Sequence, residues 1–232
     1  MAETLPELVL LPGLDGTGTL FDRVDRRLAA AGVLAIALSY PTDPALTYRD
    51  YADFVRENIG TRQVVLLGES FSGPVAVMIA ARMPDQIHGL ILAATFLRTP
   101  WPGWLIRSGS KLNPRVLPNR IRDRVLMGAY GDLALAAKIE DIVASLPPLV
   151  RVGRLREVSR VDVRADFERV NCPILVLHGD DDWVVPGRQL RAAVRGKPIA
   201  QYASLPGAHM LLQTQHGLAA SRIVSFLESI IR

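Results

Sequence analysis

Only one cysteine, Cys172, occurs in 232 residues, so no disulfide can form within the chain and a reducing compartment is permitted. It stands beside Pro173 at the head of an apolar run, where a small buried hydrophobe is expected rather than a reactive thiol. Long apolar runs are missing too. None approaches the roughly 18 residues that a membrane span needs. The opening Met1-Ala-Glu-Thr-Leu-Pro-Glu-Leu has no basic region, and its apolar run ends at Pro12 and Gly13, so a secretory signal is not expected and the cytoplasm is. The net charge is +4, but the basic residues are scattered among acids rather than gathered in a stripe, which speaks against nucleic acid as a partner. There is no ligand set with zinc spacing, so no metal is expected. The glycine-rich loop Leu11-Pro-Gly-Leu-Asp-Gly-Thr-Gly18 has Phe21 where a dinucleotide-binding fingerprint would place its third glycine, so no nucleotide cofactor is expected either. Internal repeats and low-complexity segments are absent.

What is present is an alternation of short apolar runs with helical patterns. Residues 8–11, 33–38, 64–67, 90–94, 174–177 and 199–202 read as strands, most of them apolar throughout, as parallel strands covered on both faces are. Residues 20–31, 48–58, 71–83, 187–194 and 218–231 read as helices, and Thr19 with Asp22 resembles a capping box for the first. The pattern predicts one α/β domain over residues 1–232, built on a doubly wound, mostly parallel sheet of about six strands. Its functional site should lie at the carboxyl ends of those strands.

The segment Val64-Val-Leu-Leu-Gly-Glu-Ser-Phe-Ser-Gly73 carries the strongest functional signal. A strand-length apolar run stops at Gly68, Ser70 follows within two residues, and a small-residue helical pattern starts at once. That is the layout of a nucleophile elbow. A serine hydroxyl is a weak nucleophile and needs a sharp turn that exposes it to a histidine and to backbone N–H donors. Ser72 occupies the position where the G-x-S-x-G pattern has its second glycine, a mild departure.

A serine of this kind needs a base and an acid later in the chain. His178-Gly-Asp-Asp-Asp-Trp-Val-Val-Pro186 follows one strand and Leu205-Pro-Gly-Ala-His209 another, which gives the order serine, acid, histidine. Spacing alone leaves Asp180, Asp181 and Asp182 open as the acid. His209, in a loop after a strand, is better placed as the base than His216, while His178 and His88 read as structural. The backbone N–H of Phe71 and that of Leu14 are the candidate donors to an oxyanion. Asp15 reads as a partner for loop N–H groups.

Residues 99–161 break the alternation, with Pro100, Pro102, Pro114, Pro118, Pro147 and Pro148 among short amphipathic stretches. An insertion there would sit over the strand ends as a helical cap on a core of residues 1–98 and 162–232. Trp101 and Trp104 are its candidate substrate-binding residues, as walls of an acyl pocket. Arg151, Arg154, Arg156 and Arg160 read as a solvated helix face.

The motifs LPGLDGTG, GESFSG, HGDDDWVVP and PGAH, in that order between residues 11 and 209, together resemble the serine α/β-hydrolase superfamily, its esterases and lipases in particular. The resemblance covers nearly the whole chain. It implies an α/β-hydrolase fold, with Ser70 as nucleophile, Asp182 as acid, His209 as base and the N–H groups of Leu14 and Phe71 as the oxyanion hole. It also implies a small-molecule ester or thioester substrate and no cofactor. Pro12-Gly13 stands where many members carry His-Gly. The L-P-G-x-D-G-T-G form is similar to hydrolase-like acyltransferases, so acyl transfer by the same triad is an alternative, as is a non-catalytic receptor on the same fold.

Overall fold

The computed structural model describes residues 5–110 and 119–231; the first four residues, Pro114 and Pro118 lie outside them. Six strands form one sheet: β1 (Glu7–Leu11), β2 (Ala35–Ala37), β3 (Val64–Glu69), β4 (Ile87–Ala93), β5 (Ile174–Gly179) and β6 (Ala200–Leu205), in the order β2-β1-β3-β4-β5-β6 and parallel throughout. The connections carry α1 (Asp22–Ala30), α2 (Tyr48–Ile59), α3 (Gly73–Arg82), α4 (Gly103–Ser110), α5 (Asn119–Met127), α6 (Leu133–Ser145), α7 (Pro148–Val158), α8 (Arg164–Arg169) and α9 (Arg188–Arg195). The short α10 (Leu211–Thr214) and the long α11 (His216–Ile230) close the chain.

The continuous apolar runs are explained by burial on two faces. Val9, Leu11, Val64, Leu66, Leu90, Leu92 and Val176 face α2, α3, α8 and α9. Their neighbours Leu8, Leu10, Val65, Leu67, Ile91, Leu175 and Leu177 face α1, α10 and α11. The covering helices follow the matching rule: Val24 and Leu28 on α1, and Leu190 and Val194 on α9, are buried at a spacing of four. Each such side chain removed from water contributes about 1.5–3 kcal/mol, so the sheet and its two helical layers hold one another in place.

Three expectations about local structure change. The capping box at Thr19 does not form, because Gly18 adopts a left-handed conformation and Thr19–Phe21 make a 3₁₀ turn, moving the start of α1 to Asp22. The box forms instead on α2, where Thr47 and Asp50 satisfy each other's backbone N–H groups. Strand β6 runs on to Leu205, beyond the expected Tyr202, and Gly179 of β5 pairs with Leu205. As an edge strand it is only partly buried, so its residues lack the apolar run by which a central strand is read. Strand β2, at the other edge, shrinks to three residues.

Between β4 and β5 the described residues form helices and no strand, apart from an isolated antiparallel bridge between Arg98 and Asp162. Flanking bonds from Thr99 N to Val161 O (3.1 Å) and from Val163 N to Leu97 O (2.8 Å) draw the two ends of this excursion together.

From β1 the chain winds outward to β2 on one side, and from β3 through β4 and β5 to β6 on the other. The switch point therefore lies between β1 and β3, whose carboxyl ends meet at the Leu11 and Gly68 pair. Ligands of doubly wound sheets bind at that crevice.

Candidate active site

Ser70 stands at the carboxyl end of β3, on the first residue of a 3₁₀ turn that leads into α3. Its φ of 48° is left-handed, a conformation that costs a non-glycine residue on the order of 1–3 kcal/mol. The surroundings enforce it. Gly68 has no room for a side chain: a β-carbon there would lie 2.7 Å from the Ser72 carbonyl oxygen and 2.9 Å from Ala76 Cβ. Thr95 Oγ1 donates to the Ser70 carbonyl from the far side.

Two hydrogen bonds lead away from the hydroxyl. Ser70 Oγ lies 2.9 Å from His209 Nε2, and His209 Nδ1 lies 2.9 Å from Asp182 Oδ2. The carboxylate accepts at Nδ1, so that nitrogen carries the proton and Nε2 is free to accept from the serine. The other carboxylate oxygen accepts the N–H groups of Val184 and Val185, both at 2.9 Å, which fixes the aspartate in turn. Burial opposes ionisation of Asp182, yet His209 and these backbone bonds together hold its carboxyl below the usual range. At His209, burial disfavours the charged ring, but Asp182, with a smaller contribution from Glu69, raises its pKa above the usual value. Asp180 and Asp181 are exposed, the first accepting from Ser204, so the geometry singles out Asp182.

The loop after β1 is tied to this turn by contacts that no sequence motif announces. Ser72 is buried, and its hydroxyl donates to the Pro12 carbonyl. With that proton committed, the Tyr40 hydroxyl donates to Ser72 Oγ at 2.7 Å. The serine in the glycine position is therefore a tether. Phe71, immediately after Ser70, is buried in a nest of aromatic rings, stacked on Tyr48 at 4.9 Å and edge-on to Tyr51 at 5.2 Å. Arg154 of α7 is 1% exposed, which overturns its reading as part of a solvated face. Its Nη1 donates to the Leu14 carbonyl (2.9 Å), Nη2 to the Pro41 carbonyl (3.1 Å) and Nε to Tyr51 Oη (3.0 Å), while the guanidinium lies over the Tyr40 and Tyr51 rings. The loop it clasps accommodates only glycine at position 16, where a β-carbon would come within 2.3 Å of Nη1.

Ser70 and His209 open into a cavity of about 390 Å³. Most of its wall is apolar and comes from the β4–β5 excursion, with Ile106, Leu126, Ile139, Val143, Leu146 and Leu155 among the contributors. Leu14 and Phe71 line it beside Ser70. Near His209 the wall turns polar. Glu69 is buried and accepts from Gln213 Nε2 at 2.9 Å, and burial pushes its carboxyl up to about 7, with Asp15 adding to the rise. Neither Glu69 nor Gln213 stands out in the sequence. The only signal was proximity in the chain, Glu69 next to Ser70 and Gln213 four residues after His209.

Trp101 reaches the cavity and donates from Nε1 to the Val184 carbonyl (2.8 Å), bracing the Asp182 loop. Trp104 does not join the cavity wall; it is 65% exposed on α4, because that helix turns it away from the strand ends. Arg156 and Arg160 are exposed as expected, whereas Arg151 is partly buried at the cavity. Asp15 accepts from the N–H and hydroxyl of Thr17. His178 is buried, with no partner for Nδ1 among the described residues, His88 is exposed on β4, and His216 begins α11; none of the three is hydrogen-bonded to Ser70. Cys172 is partly buried, and burial pushes its thiol up to about 11.

Fold and site together define a doubly wound α/β protein with hydrogen-bonded Ser70, His209 and Asp182 at the topological switch point, facing an apolar cavity. The chain belongs to the α/β hydrolase family, whose model matches residues 8–221. It is 24% identical over 205 residues to a pimeloyl-(acyl-carrier protein) methyl ester esterase of Neisseria meningitidis, covering 81% of this chain and 80% of that protein. It is 25% identical over 233 residues to a 2-hydroxymuconate semialdehyde hydrolase of Pseudomonas putida, covering 92% and 80%. Among solved structures, a thermophilic esterase from Thermogutta terrifontis superposes with a TM-score of 0.85 at 22% identity, covering 98% of this chain and 91% of that one. Among the described residues, no helix is long and apolar enough to cross a membrane.

Proposed function

We propose that this protein is a serine hydrolase that cleaves a carboxylic ester or thioester through an acyl-enzyme on Ser70. The observation that carries the reading is the unbroken chain of hydrogen bonds Ser70–His209–Asp182 at the mouth of an apolar cavity. The esterase and hydrolase names of the relatives point the same way.

In this mechanism His209 Nε2 takes the Ser70 proton as Oγ attacks the substrate carbonyl, and the carbonyl π pair moves onto oxygen. The N–H groups of Phe71 and Leu14 receive that oxyanion. The tethers on their loops matter because a donor held in place before charge develops is worth far more than one that must reorganise. Collapse of the tetrahedral adduct breaks the bond to the leaving oxygen or sulfur, which takes the proton from the imidazolium. Water, deprotonated by the same nitrogen, then attacks the acyl-serine, the acid departs, and Ser70 recovers its proton. Asp182 keeps the ring in the required tautomer and stabilises the imidazolium in both halves.

Residues 99–161 act as a cap over the core in this reading. Their apolar side chains form the acyl pocket, with Trp101 as one wall. The test is a series of p-nitrophenyl esters of rising acyl length, assayed with wild type, Ser70→Ala and His209→Ala. Turnover that reaches an optimum chain length and vanishes in both variants supports the proposal. Tight binding of esters with no turnover by folded wild type would favour a receptor instead.

A further inference from the structure

Three side chains that carry acceptor oxygens, Asp15, Glu69 and Gln213, line one corner of the cavity beside Ser70. Gln213 is 0% exposed; its Nε2 is committed to Glu69 Oε1, and its Oε1 has no hydrogen-bond partner among the described residues. The bond to Glu69 fixes which end of the amide faces the corner. Glu69 Oε2 and Asp15 Oδ1 face the space beside Gly13 in the same cavity wall. A β-carbon on Gly13 would lie 3.5 Å from Asp15 Oδ1, 3.9 Å from Glu69 Oε2 and 3.9 Å from Ser70 Cβ, so both carboxylates border the small volume beside the reacting serine. A buried amide oxygen left unsatisfied is destabilising, and a ligand donor would relieve that cost.

We infer that this corner is a subsite for hydroxyl groups on the alcohol portion of the substrate, and that the protein prefers esters of a short polyol to esters of a simple alcohol. The inference rests on the hydrolase reading above. Position assigns the corner to the alcohol side. His209 must deliver its proton to the leaving oxygen, and Gln213, on α10 four residues after His209, lines the cavity with it, while Glu69 is close enough to raise its pKa. The rest of the cavity, apolar and enclosed by the β4–β5 helices, suits an acyl chain. Acceptors of this kind match hydroxyl protons and do nothing for a methyl group. Burial, with the nearby Asp15 carboxyl adding to it, raises the pKa of Glu69.

The experiment compares kcat/KM for the 2,3-dihydroxypropyl and propyl esters of one medium-chain fatty acid, in wild type, Gln213→Leu and Glu69→Gln. Wild type should favour the dihydroxypropyl ester by about tenfold or more, the ratio that a hydrogen bond to a buried or charged acceptor supplies. The ratio should fall toward one in both variants. Gln213→Leu removes an acceptor, and Glu69→Gln turns a carboxylate oxygen into an amide donor while keeping the bond to Gln213. Because the readout is a ratio, a general loss of rate in a damaged variant does not mimic the effect. A wild-type ratio near one, or a ratio unchanged in both variants, overturns the inference and leaves the hydrolase reading standing, as turnover of the propyl ester shows. No turnover of either ester overturns both.

Discussion

At His209 three influences compete: burial favours the neutral ring, while the carboxylate of Asp182 and the smaller effect of Glu69 favour the charged one. The carboxyl groups win, so the ring's pKa lies above the ordinary histidine value. The base works only when neutral, so kcat/KM should rise with pH through a value above 6.5. In Glu69→Gln that limb of the pH profile should move downward. Asp182→Asn leaves the geometry and takes away the charge and the tautomer control, and should lower kcat by about 10⁴-fold. Asp180→Asn and Asp181→Asn should stay close to wild type. Glu69 also makes a testable mark on stability. Its carboxyl is raised from 4.5 to about 7 in the folded protein, so the native state holds a proton that the unfolded chain has released. The stabilisation is complete below pH 4.5 and is lost as pH rises through 7; the raised pKa of His209 acts in the same direction. For a group this buried the change amounts to about 3 kcal/mol. Thermal melts at pH 5 and pH 8 should accordingly show wild type losing more stability than Glu69→Gln across that interval.

On the scale of elements, the turn after β3 and the loop after β1 behave as one unit, clasped by Ser72 on one side and by Arg154 of α7 on the other. Ser72→Gly would restore the commoner motif, yet it should destabilise the protein by about 1–3 kcal/mol, because it cuts the link to Pro12 and strands the buried Tyr40 hydroxyl. Arg154→Met keeps the stem and removes every donor to Leu14, Pro41 and Tyr51. If that clasp holds the Leu14 N–H in position, kcat should fall by about one to two orders of magnitude with little change in KM, measured where the variant is folded. Equal stability loss with unchanged kcat would make Arg154 a packing residue only. These clasps were not legible in the sequence. Arg154 sits in a helix rich in arginine, where a solvated face is the ordinary reading, and only the approach of α7 to the β1 loop buries it. The capping signals at Thr19 and Thr47 are similar on paper. The left-handed Gly18 and the 3₁₀ turn after it decided between them.

Over the whole molecule, the legible parts are those that burial on both faces enforces. The runs in β1, β3, β4 and β5 announce a parallel sheet, and their order with the intervening helices leads to a switch point at the end of β3. The order serine, acid, histidine was readable from the motifs, with Asp182 chosen among three adjacent aspartates only by the family resemblance, and the fold brings Ser70, His209 and Asp182 into one hydrogen-bonded line. Edge strands were less legible because half their residues meet water. Trp104 was misplaced because composition cannot say which face of α4 meets the cavity. The polar corner at Glu69 and Gln213 was invisible, since it depends on two residues 144 positions apart meeting at 2.9 Å. All of these features converge on one claim, that the switch point activates a single serine. Treating the folded protein with a fluorophosphonate and locating the adduct by peptide mass tests it most directly. The account requires modification of Ser70, lost in Ser70→Ala and greatly slowed in His209→Ala; an unlabelled protein, or a label on another residue, would contradict it.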